Sequence, residues 1–128
     1  TPQKYLRAHK DILNGIAQFG EHDFSKESQY ISKTAKINSN VKIMGHVYIG
    51  ENVEIDSDAV IGPNTVLCDN SSVGMGAKVE ESVVWDNVHV GSGSEVINSV
   101  VMSNCRVNKN YQIANSILTE NFSHPMAV

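Results

Sequence analysis

A chain of 128 residues sets the scale of one domain, or of one domain with an appendage. With 41% hydrophobic and 19% charged residues it can build a core and is not disordered by composition, and its net charge of -4 gives no electrostatic footprint for nucleic acid or an anionic membrane surface. No apolar run reaches the length of a membrane span, no signal peptide is visible, and Cys68 and Cys105 stand far apart with no CxxC, which points to two reduced thiols in a cytoplasmic protein.

The chain opens on TPQKYLRAHKDILNG. Thr1 can cap, Pro2 suits the first helical position and Gly15 suits the stop. Tyr5, Leu6, Ile12 and Leu13 make one apolar stripe, so one α-helix is expected over residues 1–16. Thr1 in place of Met suggests a processed chain or an excised fragment. Residues 17–30 have no clear period and read as a connector, with Phe19, Phe24 or Tyr30 available to cover the open end of the region from residue 31 onward.

From Ile31 a strict repeat begins. Aliphatic residues return every sixth position, at Ile31, Ile37, Ile43, Ile49, Ile55, Ile61, Leu67, Val73 and Val79. The slots then run on at Val84, Val90, Val96, Val101, Val107, Ile113 and Leu118, in steps of five, six and six that begin and end on a five. Each five-residue unit carries a serine at its fourth place, Ser82, Ser99 and Ser116, so a period of 18 gives way to one of 17. A small or β-branched residue lies four after each early slot, from Ala35 and Val41 to Ser71 and Ala77. Glycine follows the slot at Gly50, Gly62, Gly74 and Gly91, and asparagine recurs between slots.

On an α-helix, six residues turn about 600°, so successive slots would scatter over three faces. In a strand six is even, and every slot points the same way. One strand from Ile31 to Leu118 would be about 300 Å long and could not bury its own slots. The chain must therefore bend about once per hexad, and three short strands with three bends close one coil. Stacked coils pair as parallel strands, with slots inward and Gly or Asn where corners need φ > 0 or a compact side chain. The expected fold is all-β: a single-stranded parallel β-helix of about five coils over residues 31–118, first of 18 and then of 17 residues. The tail, residues 119–128 with Pro125, ends it.

The words IGENVE, IGPNTV and VGMGAK resemble the hexapeptide-repeat family of left-handed parallel β-helices. The left hand is what the resemblance implies; general crossover rules favour the right hand. Thr-Pro-x-x-Tyr-Leu-x-Ala-x-x-Asp-Ile-Leu resembles the segment that follows the catalytic domain in sugar-1-phosphate nucleotidyltransferases, notably mannose-1-phosphate guanylyltransferases, and the 17-residue coils with SVVWDN look like that group. The resemblance implies a C-terminal region that oligomerises and positions an upstream catalytic domain. There a nucleotidyl group would pass from NTP to a sugar 1-phosphate, with Mg2+ and release of pyrophosphate. Mannose 1-phosphate with GTP is favoured and glucose 1-phosphate is the other candidate. No catalytic, cofactor-binding or metal-binding residue carries over to this chain.

Four further readings bear on chemistry. VGMGAKVE, residues 73–80, suggests a phosphate-binding loop, but it keeps register with the repeat, so Gly74 and Gly76 read as corner residues. The alternative function is an acyltransferase using acyl-CoA, with His46 or His89 as general base. Both stand at outward places, where a solvated or interface histidine is the ordinary case, and no long loop interrupts the coils to shape an acceptor pocket. His9, His22 and His124 lie outside the repeat and take no role. A three-histidine metal site lacks its HxxxxH pair within the coils, and Glu51, Glu54, Asp56 and Asp58 read as a solvated face. Flat prism walls favour a homo-oligomer, and Trp85 reads either as an interface anchor or as a wall residue covered by the N-terminal helix.

Overall fold

A computed structural model describes residues 29–120 and the backbone of residues 123–125. The expected helix over 1–16, the connector up to residue 28 and most of the tail lie outside the described residues. The first strand begins at Gln29, so Gln29 and Tyr30 of the expected connector already belong to the wall.

The strands follow three to a coil. The first coil holds β1 (Gln29–Ile31), β2 (Lys36–Ile37) and β3 (Lys42–Ile43), and the second β4 (Val47–Ile49), β5 (Glu54–Ile55) and β6 (Val60–Ile61). The third holds β7 (Thr65–Leu67), β8 (Ser72–Val73) and β9 (Lys78–Glu80), and the fourth β10 (Val83–Val84), β11 (His89–Val90) and β12 (Glu95–Ile97). The fifth holds β13 (Val100–Val101), β14 (Arg106–Val107) and β15 (Gln112–Ala114). The first strand of a sixth coil, β16 (Ser116–Leu118), pairs with a short antiparallel β17 (Ser123–Pro125). Every third strand stacks, which gives three sheets: wall A runs β1-β4-β7-β10-β13-β16-β17, wall B β2-β5-β8-β11-β14 and wall C β3-β6-β9-β12-β15. All pairs within the coils are parallel. This is a parallel β-solenoid of about five turns, and no described residue is helical.

The register carries the period directly. Val47 stands on Gln29 and Thr65 on Val47, steps of 18; Val83 stands on Val66 and Val100 on Val83, steps of 17. The slots from Ile49 to Ile113 line a buried core, and the corner positions Val53, Ala59, Ala77, Val88 and Cys105 fill it out. The first coil departs from the expected pattern. Ile31 is 39% exposed, and Ile37 and Ile43 only half-buried, because a terminal coil has a neighbour on one side only.

The corners explain the remaining pattern. Asn40, Asn52, Asn64, Asn70, Asn87, Asn104 and Asn110 all have φ between 51° and 67°, the left-handed region that a short polar side chain tolerates. Most glycines after a slot have another cause. A Cβ on Gly74 would meet the Ser92 nitrogen at 2.6 Å, and one on Gly91 the Lys109 nitrogen at 2.7 Å, because the next coil passes directly over them. Gly62, next to a cis Gly62–Pro63 bond, does need its φ of 104°.

The serine column explains the change of period. In the longer coils the Thr65 N–H donates to the His46 carbonyl of the coil before (3.1 Å). The shorter coils lack one corner residue, and a hydroxyl takes that carbonyl's place: the Ser99 N–H donates to Ser82 Oγ (3.0 Å) and the Ser116 N–H to Ser99 Oγ (3.1 Å). Each hydroxyl in turn donates two residues back, to the carbonyls of Glu80, Ile97 and Ala114 at 2.7–2.8 Å. The buried Ser99 N–H and the half-buried Ser116 N–H thus keep partners at the tightened corner.

Candidate functional site

Wall B projects one side chain per coil: Lys36, Glu54, Ser72, His89 and Arg106, each directly over the last. These residues stand outward because each precedes an inward slot and a strand alternates its faces. Ser72 Oγ lies 2.6 Å from His89 Nδ1. Beside them runs a groove of about 310 Å³, lined by Lys36, Asn38, Glu54, Asp56, Gly74 and His89. His89 is exposed, and a ring whose Nδ1 meets Ser72 keeps Nε2 for a second partner.

His46 sits elsewhere, at the corner leading from wall C into β4. Its ring is half-buried and its Nδ1 is enclosed without a hydrogen-bond partner. His46 at this corner and His89 on wall B lie more than two coils apart, so the fold does not assemble them into one site.

The acidic residues spread out rather than converge. Glu51, Glu54, Asp56 and Asp58 are all exposed. Asp56 Oδ1 accepts from Asn38 Nδ2 (3.0 Å) and from the Ser57 N–H (2.7 Å), which makes it part of a corner ladder. Among the described residues no three His, Cys, Asp or Glu side chains are grouped to hold a metal ion. Gly76, with φ 70°, occupies a corner as its register requires.

Both thiols are free, and both are held protonated. Burial, with the carboxylates of Asp86 and Asp69 beside it, pushes Cys68 up to about 12. Burial likewise raises Cys105, with Glu120 adding to the effect. A thiol so placed is a poor nucleophile, because the thiolate is the reactive form.

Wall A differs from the other two. Its outward column reads Tyr30, Tyr48, Val66, Val83, Val100 and Ile117, without a charge. The Tyr30 and Tyr48 rings stack 5.1 Å apart, and Trp85 packs with Val66 and Ile117 against Val83 and Val100. Sequence reasoning found the slots and Trp85 but missed this column and the Ser72–His89 pair. The signal was present: the residue just before every third slot is aromatic or aliphatic on wall A alone.

Against known proteins, the family model described as the GMPPB C-terminal domain matches residues 43–125, from the end of β3 into β17. Solved structures of related shape include a GDP-perosamine N-acetyl transferase variant from Caulobacter crescentus, in complex with CoA and GDP-perosamine. It is 18% identical, with 67% of this chain and 52% of that chain covered and a TM-score of 0.38. A hexapeptide transferase family protein from Anaplasma phagocytophilum is 20% identical over 70% of this chain and 72% of that chain, with a TM-score of 0.34. The chain thus spans about half the length of the Caulobacter enzyme it matches.

Proposed function

The chain belongs to the GMPPB C-terminal domain family, and from that premise we propose that it is the non-catalytic oligomerisation and regulatory region of a sugar-phosphate nucleotidyltransferase. The family match carries this reading. The steps between slots support it: each is five or six residues from Ile31 to Leu118, which leaves no inserted loop to build a reaction centre. The reaction itself, NTP and a sugar 1-phosphate giving a nucleotide-sugar and pyrophosphate with Mg2+, belongs to an upstream domain, with mannose 1-phosphate and GTP the favoured pair. The coil takes the left hand of hexapeptide-repeat proteins, and the protein works in the cytoplasm as a homo-oligomer.

Two measurements test it. The 128-residue chain, given GTP, mannose 1-phosphate and Mg2+, releases no pyrophosphate above background, and it sediments above the monomer mass. Turnover by this chain overturns the non-catalytic role, and a monomer at all concentrations overturns the assembly role.

The acyltransferase reading has one observation in its favour, the Ser72–His89 contact that orients an exposed imidazole beside a groove. It predicts heat on titration with acetyl-CoA that is lost in His89→Ala and kept in His46→Ala. A flat trace with the unaltered chain rules it out.

A further inference from the structure

Wall B carries two outward columns. In one, Glu54, Ser72, His89 and Arg106 rise from the second coil to the fifth, each standing on the last. In the other, past the inward slot, rise Asp56, Gly74, Gly91 and Asn108. There the Asp56, Gly74 and Gly91 N–H groups donate to the carbonyls of Val73, Val90 and Val107 in the coil above, at 2.7–2.9 Å. Ser72 is half-buried and the two glycines are buried backbone, while the other five residues are exposed. Neither Glu54 nor Arg106 has an ion-pair partner among the described residues.

Taken from the fifth coil down, these columns complement themselves taken from the second coil up. Arg106 then meets Glu54, Asn108 meets Asp56, His89 meets Ser72 and Gly91 meets Gly74. A two-fold axis along the strand direction, between the third and fourth coils, makes this exchange: it reverses the order of the coils and keeps each column facing itself. A surface that complements itself under a two-fold is what an isologous contact between identical chains requires. We infer that a second copy of this chain docks on wall B, antiparallel to the first. Glu54 of each chain faces the partner's Arg106, and the two Ser72–His89 pairs meet at the axis. This contact rests on the homo-oligomer reading above and gives it a wall, a direction and a register.

Other arrangements fail on charge. With the axis half a step lower, the same rotation sets Lys36 against Arg106. A two-fold parallel to the prism keeps the coils level and sets Glu54 against Asp56. Wall C does not repeat the pattern, because the rotation that pairs Lys78 with Glu95 also puts the Glu80 carboxylate on Ile97. On wall B the bare backbone of Gly74 and Gly91 lets two walls approach closely. His89, whose Nδ1 meets Ser72 at 2.6 Å, keeps Nε2 for the facing chain. Four coils at about 4.8 Å on a wall six residues wide give roughly 350 Å² per partner, under half of the about 800 Å² of a standard interface. The pair is therefore weak, and with ionic contacts at its edges it is sensitive to salt.

Sedimentation equilibrium of the 128-residue chain over a series of concentrations tests this. Glu54→Arg sets like charges against each other twice, once on either side of the axis, and so does Arg106→Glu. Each reversal is expected to weaken dimerisation at least roughly tenfold. Glu54→Arg/Arg106→Glu exchanges the two charges and is expected to restore the association of the unaltered chain. Both side chains are exposed, so the prism folds in all three variants. An oligomer indifferent to either reversal, or one that the exchange does not restore, overturns the wall B contact and leaves the homo-oligomer reading standing. A monomer at every concentration overturns both.

Discussion

Ser99 is fully buried, and its hydroxyl works in two directions, donating to the Ile97 carbonyl at 2.8 Å and accepting the Ser116 N–H at 3.1 Å. Ser99→Ala leaves that N–H without its partner at a half-buried corner and removes the donation to Ile97. The expected loss is about 1–3 kcal/mol in urea unfolding. The glycines separate two causes that look alike in a sequence. Gly91→Ala places a Cβ 2.7 Å from backbone atoms of the next coil and is expected to cost about 1–3 kcal/mol by the same measurement. At Gly76, φ is 70° and nothing lies within 4 Å, so Gly76→Asn, which copies Asn40 and Asn110, should change stability by about 0.5 kcal/mol or less.

Cys68 gives a dependence on pH. Its folded value, about 12, lies above the ordinary thiol value of 9.0 because burial disfavours the thiolate. The unfolded chain therefore loses this proton first, and between about pH 9 and pH 12 the folded state binds more protons than the unfolded one. Stability from this group is complete below pH 9 and falls as pH rises towards 12. Tyr48, also raised mainly by burial, loses stability in the same direction. Melting temperature should thus decline above pH 9, and less steeply in Cys68→Ala.

At the scale of the strand, position along the stack decides what a side chain is worth. Ile55 has coils on both sides and is 1% exposed, while Ile31 has one neighbour and is 39% exposed. Ile55→Ala should cost about 2–5 kcal/mol by leaving a cavity, and Ile31→Ala about 1 kcal/mol or less. Chemical denaturation of the two variants in parallel checks the contrast. These slots were legible in the sequence because their spacing is even and survives the change from 18 to 17. The role of the serines was not. Their spacing marks the shortened unit, but only the three-dimensional corner shows a hydroxyl replacing a missing carbonyl. His89 could be placed outward from its position after the slot, whereas its contact with Ser72 depends on stacking seventeen residues apart.

Over the whole molecule, the three walls have three characters: A apolar, B charged, C mixed. A period search finds the prism but is blind to this division, because it asks which residues face in and ignores which wall the others face out from. Nearest-neighbour stacking also makes stability a sum along one axis, so the ends differ from the middle. The first coil leaves an aliphatic partly bare, and the last is closed on wall A by a strand of opposite direction.

That reversed last strand has a consequence for assembly into fibres. A tube of parallel strands presents at each end a template on which an identical tube can seed, the geometry from which cross-β filaments grow. β17 runs against β16, so a second molecule arriving end-on would find one of its three sides facing the wrong way. Cutting the chain after residue 120 removes this mismatch, and light scattering at rising concentration should then detect elongated polymers that the intact chain does not form. The final residues would thus serve as a stopper that keeps a self-templating shape from propagating.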